Sequence, residues 1–194
     1  MRIAKDHTTL IDSIVVNRTL LWDIVLVVSF AFLTALSAQI SFWIGPVPIT
    51  GQTFAVILAG ALLGSRRGAM SQFCYLAVGI TGIPYWFAPG GALGIARLIG
   101  PTGGYLIGFV AAAFIVGWLA ERGWDRKLWT STGAMLAGCV VYFAFGCAWL
   151  VRFVPESTVF QVGLYPFIIG DLIKVAAAAF LLPSGWLLLR KFSP

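Results

Sequence analysis

Long apolar runs separated by short gaps constrain this chain more than any other feature. Six runs can be read, at 23–44, 47–64, 68–83, 102–121, 132–153 and 163–189. A helix needs about 20 mostly apolar residues to cross a bilayer. Of the 194 residues, 60% are hydrophobic and 10% are charged, with a mean hydropathy of +0.95, whereas soluble domains are about 25% charged. The chain is therefore predicted to be an all-α integral membrane protein, with six transmembrane helices in a single domain over 1–194 and a polar N-terminal segment at 1–21.

The distribution of basic residues predicts the orientation. The net charge is +6, but the lysines and arginines form no stripe with interleaved aromatic residues, so we expect no nucleic-acid partner. Six crossings place ten of the thirteen basic residues on the side of both termini, leave Arg97 and Arg152 on the other side, and put Lys174 inside a span. Cytoplasmic loops carry an excess of basic residues. We therefore expect both termini in the cytoplasm and a cytoplasmic turn at Arg66–Arg67.

The residue types needed for catalysis, metal binding or ATP binding do not form recognisable motifs. Cys74, Cys139 and Cys147 lie inside apolar runs, and the one histidine, His7, lies in the N-terminal segment. No cysteine spacing matches a metal or redox site, and no phosphate-binding G-x-x-x-x-G-K-[ST] motif occurs. We expect no metal, no cofactor and no catalytic residues. An intramembrane enzyme using the carboxylate and amine of the sixth run for acid–base chemistry remains a remote alternative. A cleavable leader is not evident in the first 20 residues.

One pair of ionisable residues falls inside a predicted span. Asp171 and Lys174, in "YPFIIGDLIKVAAAAF", are three residues apart and so share a helix face. If the helix begins near Pro166, both lie in the outer half of the membrane. Charged residues inside spans are costly and usually mark a binding site or pathway. The pair suits a small ligand with hydrogen-bond donors and acceptors; the alternative is an ion pair that only locks the last helix to its neighbours.

Further candidate residues lie near the predicted outer surface. Gln52 begins the second span beside Thr50 and Thr53, and its amide could join the same pocket or be solvated by headgroups. The segment 84–101 is a long outer loop between the third and fourth spans, with three glycines that permit positive φ. We interpret it as a lid or re-entrant segment, the alternative being an interfacial hairpin. Several aromatic residues mark the outer boundary, and some of them could wall a ligand: Trp43, Tyr85, Trp86, Tyr105 and Tyr165.

Two other features have both a functional and a plain structural interpretation. Arg97 could meet an anionic ligand tail or a lipid phosphate. Ala31, Ala35 and Ala38 recur on one face of the first span, where small residues let another helix approach closely. That helix could belong to another protein or to the same chain.

Four ordered motifs together resemble the BioY family, the biotin-specific substrate-binding subunits (S components) of energy-coupling-factor (ECF) transporters. They are "PVPITGQTFAVILAGALLGSRRG", "LAVGITGIPYW", "GPTGGYLIGF" and "IIGDLIK". The resemblance implies a six-helix S-component bundle in a bacterial or archaeal-type plasma membrane. It implies biotin held near the outer face, under the first and third outer loops. The implied partners are a transmembrane coupling subunit and ATPase subunits, which alone would use ATP.

The resemblance also implies roles for particular residues. The family's Asp-x-x-Lys, which contacts biotin, matches Asp171 and Lys174. The family's early glutamine of the second helix matches Gln52, and its coupling-subunit contact matches Ala31 and Ala35. Some members carry an arginine just after GPTGGY, where this chain has Leu106, and an asparagine among the glycines of the third loop, where it has Pro89 or Ala92. How the biotin carboxylate is held is left open, with Arg97 as one candidate.

Two other functions stay open beside an ATP-driven uptake subunit. A stand-alone biotin carrier, with Ala31 and Ala35 at a homodimer contact, would have the same spans and the same site. A purely structural membrane subunit would leave the buried ion pair and the long outer loop without a purpose.

Overall fold

The computed structural model describes residues 9–14 and 19–192. Most of the predicted N-terminal segment therefore lies outside the described residues, and so does His7. The regular elements are α1 (Leu10–Ile14), α2 (Leu20–Ser37), β1 (Ser41–Ile44), β2 (Val47–Thr50), α3 (Gln52–Leu63), α4 (Ser65–Ile80), α5 (Gly94–Ile99), α6 (Gly103–Ala120), α7 (Leu128–Leu150), α8 (Val159–Gly163) and α9 (Tyr165–Phe192).

Each predicted span overlaps chiefly with one helix, whose ends differ from the predicted ones. Within the described residues, four segments are long and apolar enough to cross a membrane: Leu20–Ser37, Gly103–Ala120, Leu128–Leu150 and Glu156–Lys191. The apolar α3 is shorter, with 12 residues, and α4 has 16. The chain is mostly helical with several membrane-length helices, while the count of six crossings stays a prediction.

A β-hairpin replaces the expected end of the first span and the expected start of the second. β1 and β2 are antiparallel, with Ser41 opposite Thr50 and Ile44 opposite Val47. The two loop residues are Gly45, whose φ is 81°, and Pro46. A glycine with positive φ suits a tight hairpin turn, and proline opposes helix continuation. The spans drawn at 23–44 and 47–64 were therefore wrong at these ends, because an apolar run alone does not separate strand from helix.

The turn between α3 and α4 is a single residue, which corrects the turn expected at Arg66–Arg67. Gly64 has a φ of 86°, and the two arginines lie in the first turn of α4. The carboxylate of Glu121 accepts bonds from the Ser65 backbone N–H at 2.7 Å and the Ser65 hydroxyl at 2.9 Å. These bonds satisfy the start of α4, where free N–H groups need partners.

α6 lies at the centre of the bundle and α2 at its edge. In α6, 67% of the span is buried, whereas in α2 the share is 17%. A Cβ at Gly60 would collide with the backbone of Ala113, and one at Gly117 with the backbone of Gly64. Glycines at these contacts let α3 and the α3–α4 turn approach α6 closely.

At the end of the bundle opposite the hairpin, a fully buried carboxylate joins α9 to the α6–α7 connection. The Asp125 Oδ2 accepts a bond from the Trp186 indole N–H at 2.6 Å, and the Arg126 guanidinium lies 4.9 Å from the centre of the Trp186 ring. Burial raises the pKa of the Asp125 carboxyl to about 6, although the Trp186 bond and Arg126 oppose the shift.

Candidate functional site

Asp171 and Lys174 form a buried ion pair on α9, as their spacing predicted. The Lys174 Nζ lies 2.7 Å from the Asp171 Oδ1. The ammonium also donates to the Thr50 carbonyl at 2.7 Å and to the Thr53 hydroxyl at 2.8 Å. An ammonium has three donors, so all three are used within the chain. These bonds tie α9 to the start of α3 and to the last residue of the hairpin.

The Asp171 carboxylate is surrounded by donors from three helices. Its Oδ1 accepts from the Thr53 hydroxyl at 2.9 Å as well as from Lys174. Its Oδ2 accepts from the Tyr142 hydroxyl of α7 at 2.5 Å. Asp171 is 4% exposed and Tyr142 is 1% exposed. We call Thr50, Thr53, Tyr142, Asp171 and Lys174 the ion-pair cluster.

Gln52 lies in a second polar network that touches the ion-pair cluster through Thr50. The Thr50 hydroxyl donates to the Gln52 Oε1 at 2.7 Å. The Gln52 Nε2 donates to the Tyr75 hydroxyl and, at 2.6 Å, to the Phe87 carbonyl. Gln52 is buried inside the protein and not solvated by headgroups, so its amide ties the start of α3 to α4 and to the outer loop.

Trp86 packs over this network. Its ring stacks on that of Tyr75, with centroids 5.9 Å apart, and its indole N–H donates to the Tyr75 carbonyl at 2.8 Å. Its own carbonyl accepts from the Tyr75 hydroxyl at 3.3 Å. Trp86 is therefore connected to Gln52 through Tyr75, whose side chain contacts both residues.

The outer loop is fastened to the hairpin at Trp43. The Trp43 indole N–H donates to the Pro89 carbonyl at 3.0 Å, and the Arg97 guanidinium lies 5.1 Å from the centre of the Trp43 ring. Arg97 donates to the Gly90 carbonyl at 2.8 Å, and burial lowers the pKa of its guanidinium. The glycines Gly90, Gly91 and Gly94 have positive φ, which their residue type permits. Arg97 thus binds the loop backbone at Gly90 and packs on Trp43, and among the described residues it does not contact the ion-pair cluster.

Two other predicted residues lie apart from the cluster. Tyr105 is buried, and its hydroxyl donates to the Gly163 carbonyl of α8 at 2.7 Å. Its ring stacks near Phe167, with centroids 6.2 Å apart. Tyr85 is 61% exposed, and its φ of 63° makes it the only non-glycine residue with positive φ among those the structure describes. The structure brings neither side chain to Asp171 or Lys174.

Ala31 and Ala35 face the inside of the bundle. They are 2% and 5% exposed, and the Thr34 hydroxyl between them meets the buried Gln72 amide of α4 at 3.2 Å. In this conformation the small residues let α2 pack within its own chain, which was the open alternative to a contact with a coupling subunit. The contact of Ala31 and Ala35 with a coupling subunit stays a prediction.

An apolar groove of about 180 Å³, open to the surface of the bundle, adjoins Asp171 between α7 and α9. Asp171 is its only charged lining residue; the others are Leu136, Cys139, Val140, Phe143, Leu164, Ile168, Leu172 and Val175. Small-molecule sites are usually apolar pockets with a few placed polar groups. A larger groove of about 520 Å³ lies between α6 and α7, but its lining includes no residue of the ion-pair cluster. Of these two grooves, only the smaller one borders the ion-pair cluster.

Sequence reasoning missed the two tyrosines that complete the polar networks. Tyr142 and Tyr75 lie within apolar runs of α7 and α4, where a tyrosine carries no periodic or motif signal. Only the packing of α7 and α4 against α9 and α3 brings their hydroxyls to Asp171 and Gln52.

Comparison with known proteins gives one consistent result. The model of the BioY family matches residues 8–191. A "Probable biotin transporter BioY" of Pyrococcus horikoshii is 44% identical over 156 residues, which cover 80% of this chain and 91% of that protein. A "Biotin transporter BioY" of Thermotoga maritima is 37% identical over 151 residues, covering 77% of this chain and 87% of that protein.

A solved structure agrees with these relatives. It is described as the crystal structure of the S-component for biotin from an ECF-type ABC transporter. The two folds superpose with a TM-score of 0.76 at 26% sequence identity, over 91% of this chain and 96% of that chain. These proteins are transporters, which confirms that the chain belongs among transport proteins and not among enzymes. It is a multi-pass protein of a bacterial or archaeal plasma membrane, and its family is the BioY family.

Proposed function

We propose that this chain is a membrane subunit that binds biotin with high affinity and mediates its uptake as the S component of an ATP-driven ECF transporter. The observation that carries the proposal is the buried Asp171–Lys174 pair, which has hydroxyl donors around it and an apolar groove beside Asp171. Relatives named as biotin transporters support the substrate.

The chemistry of biotin suits this arrangement. Its ureido ring presents a carbonyl acceptor and two N–H donors, complementary to an ammonium and a carboxylate. A ureido carbonyl that binds Lys174 replaces one of the three acceptors that the ammonium uses within the chain. The Thr50 carbonyl is the one of these three that belongs to the hairpin. The thioether ring and alkyl chain suit apolar walls such as Phe143 and Ile168.

Gln52, Trp86 and Tyr75 then close the outer side of the site. Because Gln52 holds the Phe87 carbonyl, it ties the segment 84–101 over the helix ends. Gln52 and Trp86 stay in our proposed biotin site, and Tyr85 and Tyr105 belong to its surroundings. The group that donates to the biotin carboxylate is left unassigned, with the Arg97 guanidinium of the outer loop as the candidate.

The proposed topology has six membrane crossings with both termini in the cytoplasm. The proposed partners are a transmembrane coupling subunit and ATPase subunits. A stand-alone carrier is the second candidate. The burial of Ala31 and Ala35 does not separate the two candidates, because a coupling subunit and a homodimer would use the same face of α2.

Binding to the purified chain tests the substrate. Labelled biotin is titrated onto the wild-type protein in detergent, with unlabelled biotin and an unrelated vitamin as competitors. The proposal expects saturable binding that only unlabelled biotin displaces. Absence of binding by folded protein contradicts it.

Uptake distinguishes the two transport modes. Labelled biotin uptake is measured in cells that lack their own biotin transporter, with and without co-expressed coupling and ATPase subunits. Uptake only with an ATPase competent in hydrolysis supports the S-component assignment. Equal uptake without the other subunits supports the stand-alone carrier.

A further inference from the structure

The geometry points to Tyr142 as a positioning residue that leaves the Asp171 carboxylate a single acceptor site for the ligand, on Oδ2. This inference rests on the proposed function, since it concerns how the same site recognises an N–H group.

The count of hydrogen bonds at the carboxylate is the first step. A carboxylate has about four acceptor positions, two on each oxygen. The Asp171 Oδ1 already accepts from Thr53 and Lys174. Oδ2 accepts only from Tyr142 among the bonds of the described residues. One position therefore remains, and it lies beside the tyrosine hydroxyl.

The rigidity of Tyr142 is the second step. The side chain is 1% exposed. Its ring meets that of Phe109 edge-on, with centroids 5.9 Å apart, and that of Phe143 at 4.7 Å. A ring packed on two sides cannot swing away, so its hydroxyl fixes the rotation of the carboxylate. Hydrogen bonds to an ionised acceptor are short and strong, and the 2.5 Å separation agrees with this.

The consequence concerns selectivity. Both acceptor positions of Oδ1 and one of the two on Oδ2 are occupied. Asp171 can therefore accept a hydrogen bond from one ligand N–H group without losing a donor from within the chain. A ligand that offers no N–H at this point leaves a buried acceptor unmatched, which is costly. Tyr142 thereby makes the site selective for a ligand with an N–H donor at this point.

The test compares Tyr142→Phe with a matched variant on the same helix. Trp149 lies two turns from Tyr142 on α7, and its indole N–H donates to the Gly100 carbonyl at 3.0 Å, so Trp149→Phe also deletes one donor. Both variants are titrated with biotin and with an analogue in which ring oxygens replace the two ureido N–H groups. The affinity of the analogue is measured by its competition with labelled biotin at high analogue concentration. Thermal unfolding confirms that each chain is folded.

We expect Tyr142→Phe to weaken biotin binding roughly 10- to 100-fold, the usual effect of one hydrogen bond to a charged group. It should leave analogue binding within about threefold, because the analogue makes no bond to Asp171. Trp149→Phe should leave the ratio of the two affinities unchanged. Replacement of Tyr142 by 4-aminophenylalanine, which keeps a donor on the same ring, should restore most of that ratio.

Equal losses for biotin and the analogue in Tyr142→Phe would show a merely structural role and overturn the inference. So would unchanged biotin affinity in that variant. If Tyr142→Phe does not fold, the chain with 4-aminophenylalanine at position 142 is the test. Loss of the wild-type ratio of biotin affinity to analogue affinity in that chain also overturns the inference. Failure of the wild type to bind biotin is a different outcome, because it removes the proposed function itself.

Discussion

Removing Lys174 should destabilise the chain more than removing both members of its ion pair. Lys174→Met leaves the Asp171 carboxylate, 4% exposed, without a counter-charge. At the 2.7 Å separation and an effective dielectric constant of about 20, the Coulomb attraction is roughly 6 kcal/mol. The lysine side chain is partly exposed, at 19%, and the hydroxyls of Thr53 and Tyr142 still donate to Asp171. We therefore expect a loss of about 3–5 kcal/mol in the free energy of unfolding, the usual result of orphaning a buried charge.

The double variant Asp171→Asn/Lys174→Met is the informative comparison. It removes both charges with little change of shape, and replacing a buried pair by neutral groups is often close to neutral. We expect it to unfold within about 1–2 kcal/mol of the wild type, and to be more stable than either single variant.

The assay is thermal and denaturant unfolding of the purified chains in detergent, without biotin. Asp23→Asn serves as the control, because Asp23 pairs with Arg67 at 3.0 Å but its side chain is 44% exposed. An exposed pair contributes about 0–1 kcal/mol. A double variant whose loss equals the sum of the two single losses would refute the reasoning, since the two charges would then not stabilise each other.

Two further predictions concern other buried polar groups. Gln52→Leu should lower biotin affinity and speed hydrogen exchange in the segment around Phe87, because it leaves the Phe87 carbonyl and the Tyr75 hydroxyl without their amide donor; unchanged exchange there would contradict this role. Asp125→Asn should alter the pH dependence of stability. Burial raises the pKa of Asp125 from 3.8 to about 6, so the folded chain holds a proton that the unfolded chain releases, and its stabilising effect is lost as the pH rises through about 6. Between pH 5 and pH 7.5 the wild type should lose on the order of 1 kcal/mol relative to Asp125→Asn, measured by unfolding at both pH values; parallel curves for the two chains would be the contrary result.

The parts that sequence predicted are those fixed by local spacing. Asp171 and Lys174 are three residues apart on a helix, so their pairing needs only a helix. The long helices α2, α6, α7 and α9 follow from runs of apolar residues, and residue type permits the positive φ of the outer-loop glycines.

The parts that sequence did not predict depend on contacts between distant segments. The hairpin at 41–50 lies between the apolar runs of α2 and α3, and only its glycine and its two prolines argue locally against a helix there. Tyr142 meets Asp171 across 29 positions of sequence, and no local pattern encodes that contact. Ala31 and Ala35 form a small-residue stripe whose partner is α4 of the same chain, which a stripe alone cannot specify.

The ion-pair cluster as a biotin site is the central claim, and one binding measurement tests it most directly. Labelled biotin is titrated onto the wild type and onto the folded Asp171→Asn/Lys174→Met chain in detergent. We predict saturable binding to the wild type and none to the double variant, although that variant keeps its fold. Binding to the double variant with the wild-type affinity would contradict the claim, because the pair would then serve only to hold α9 in place.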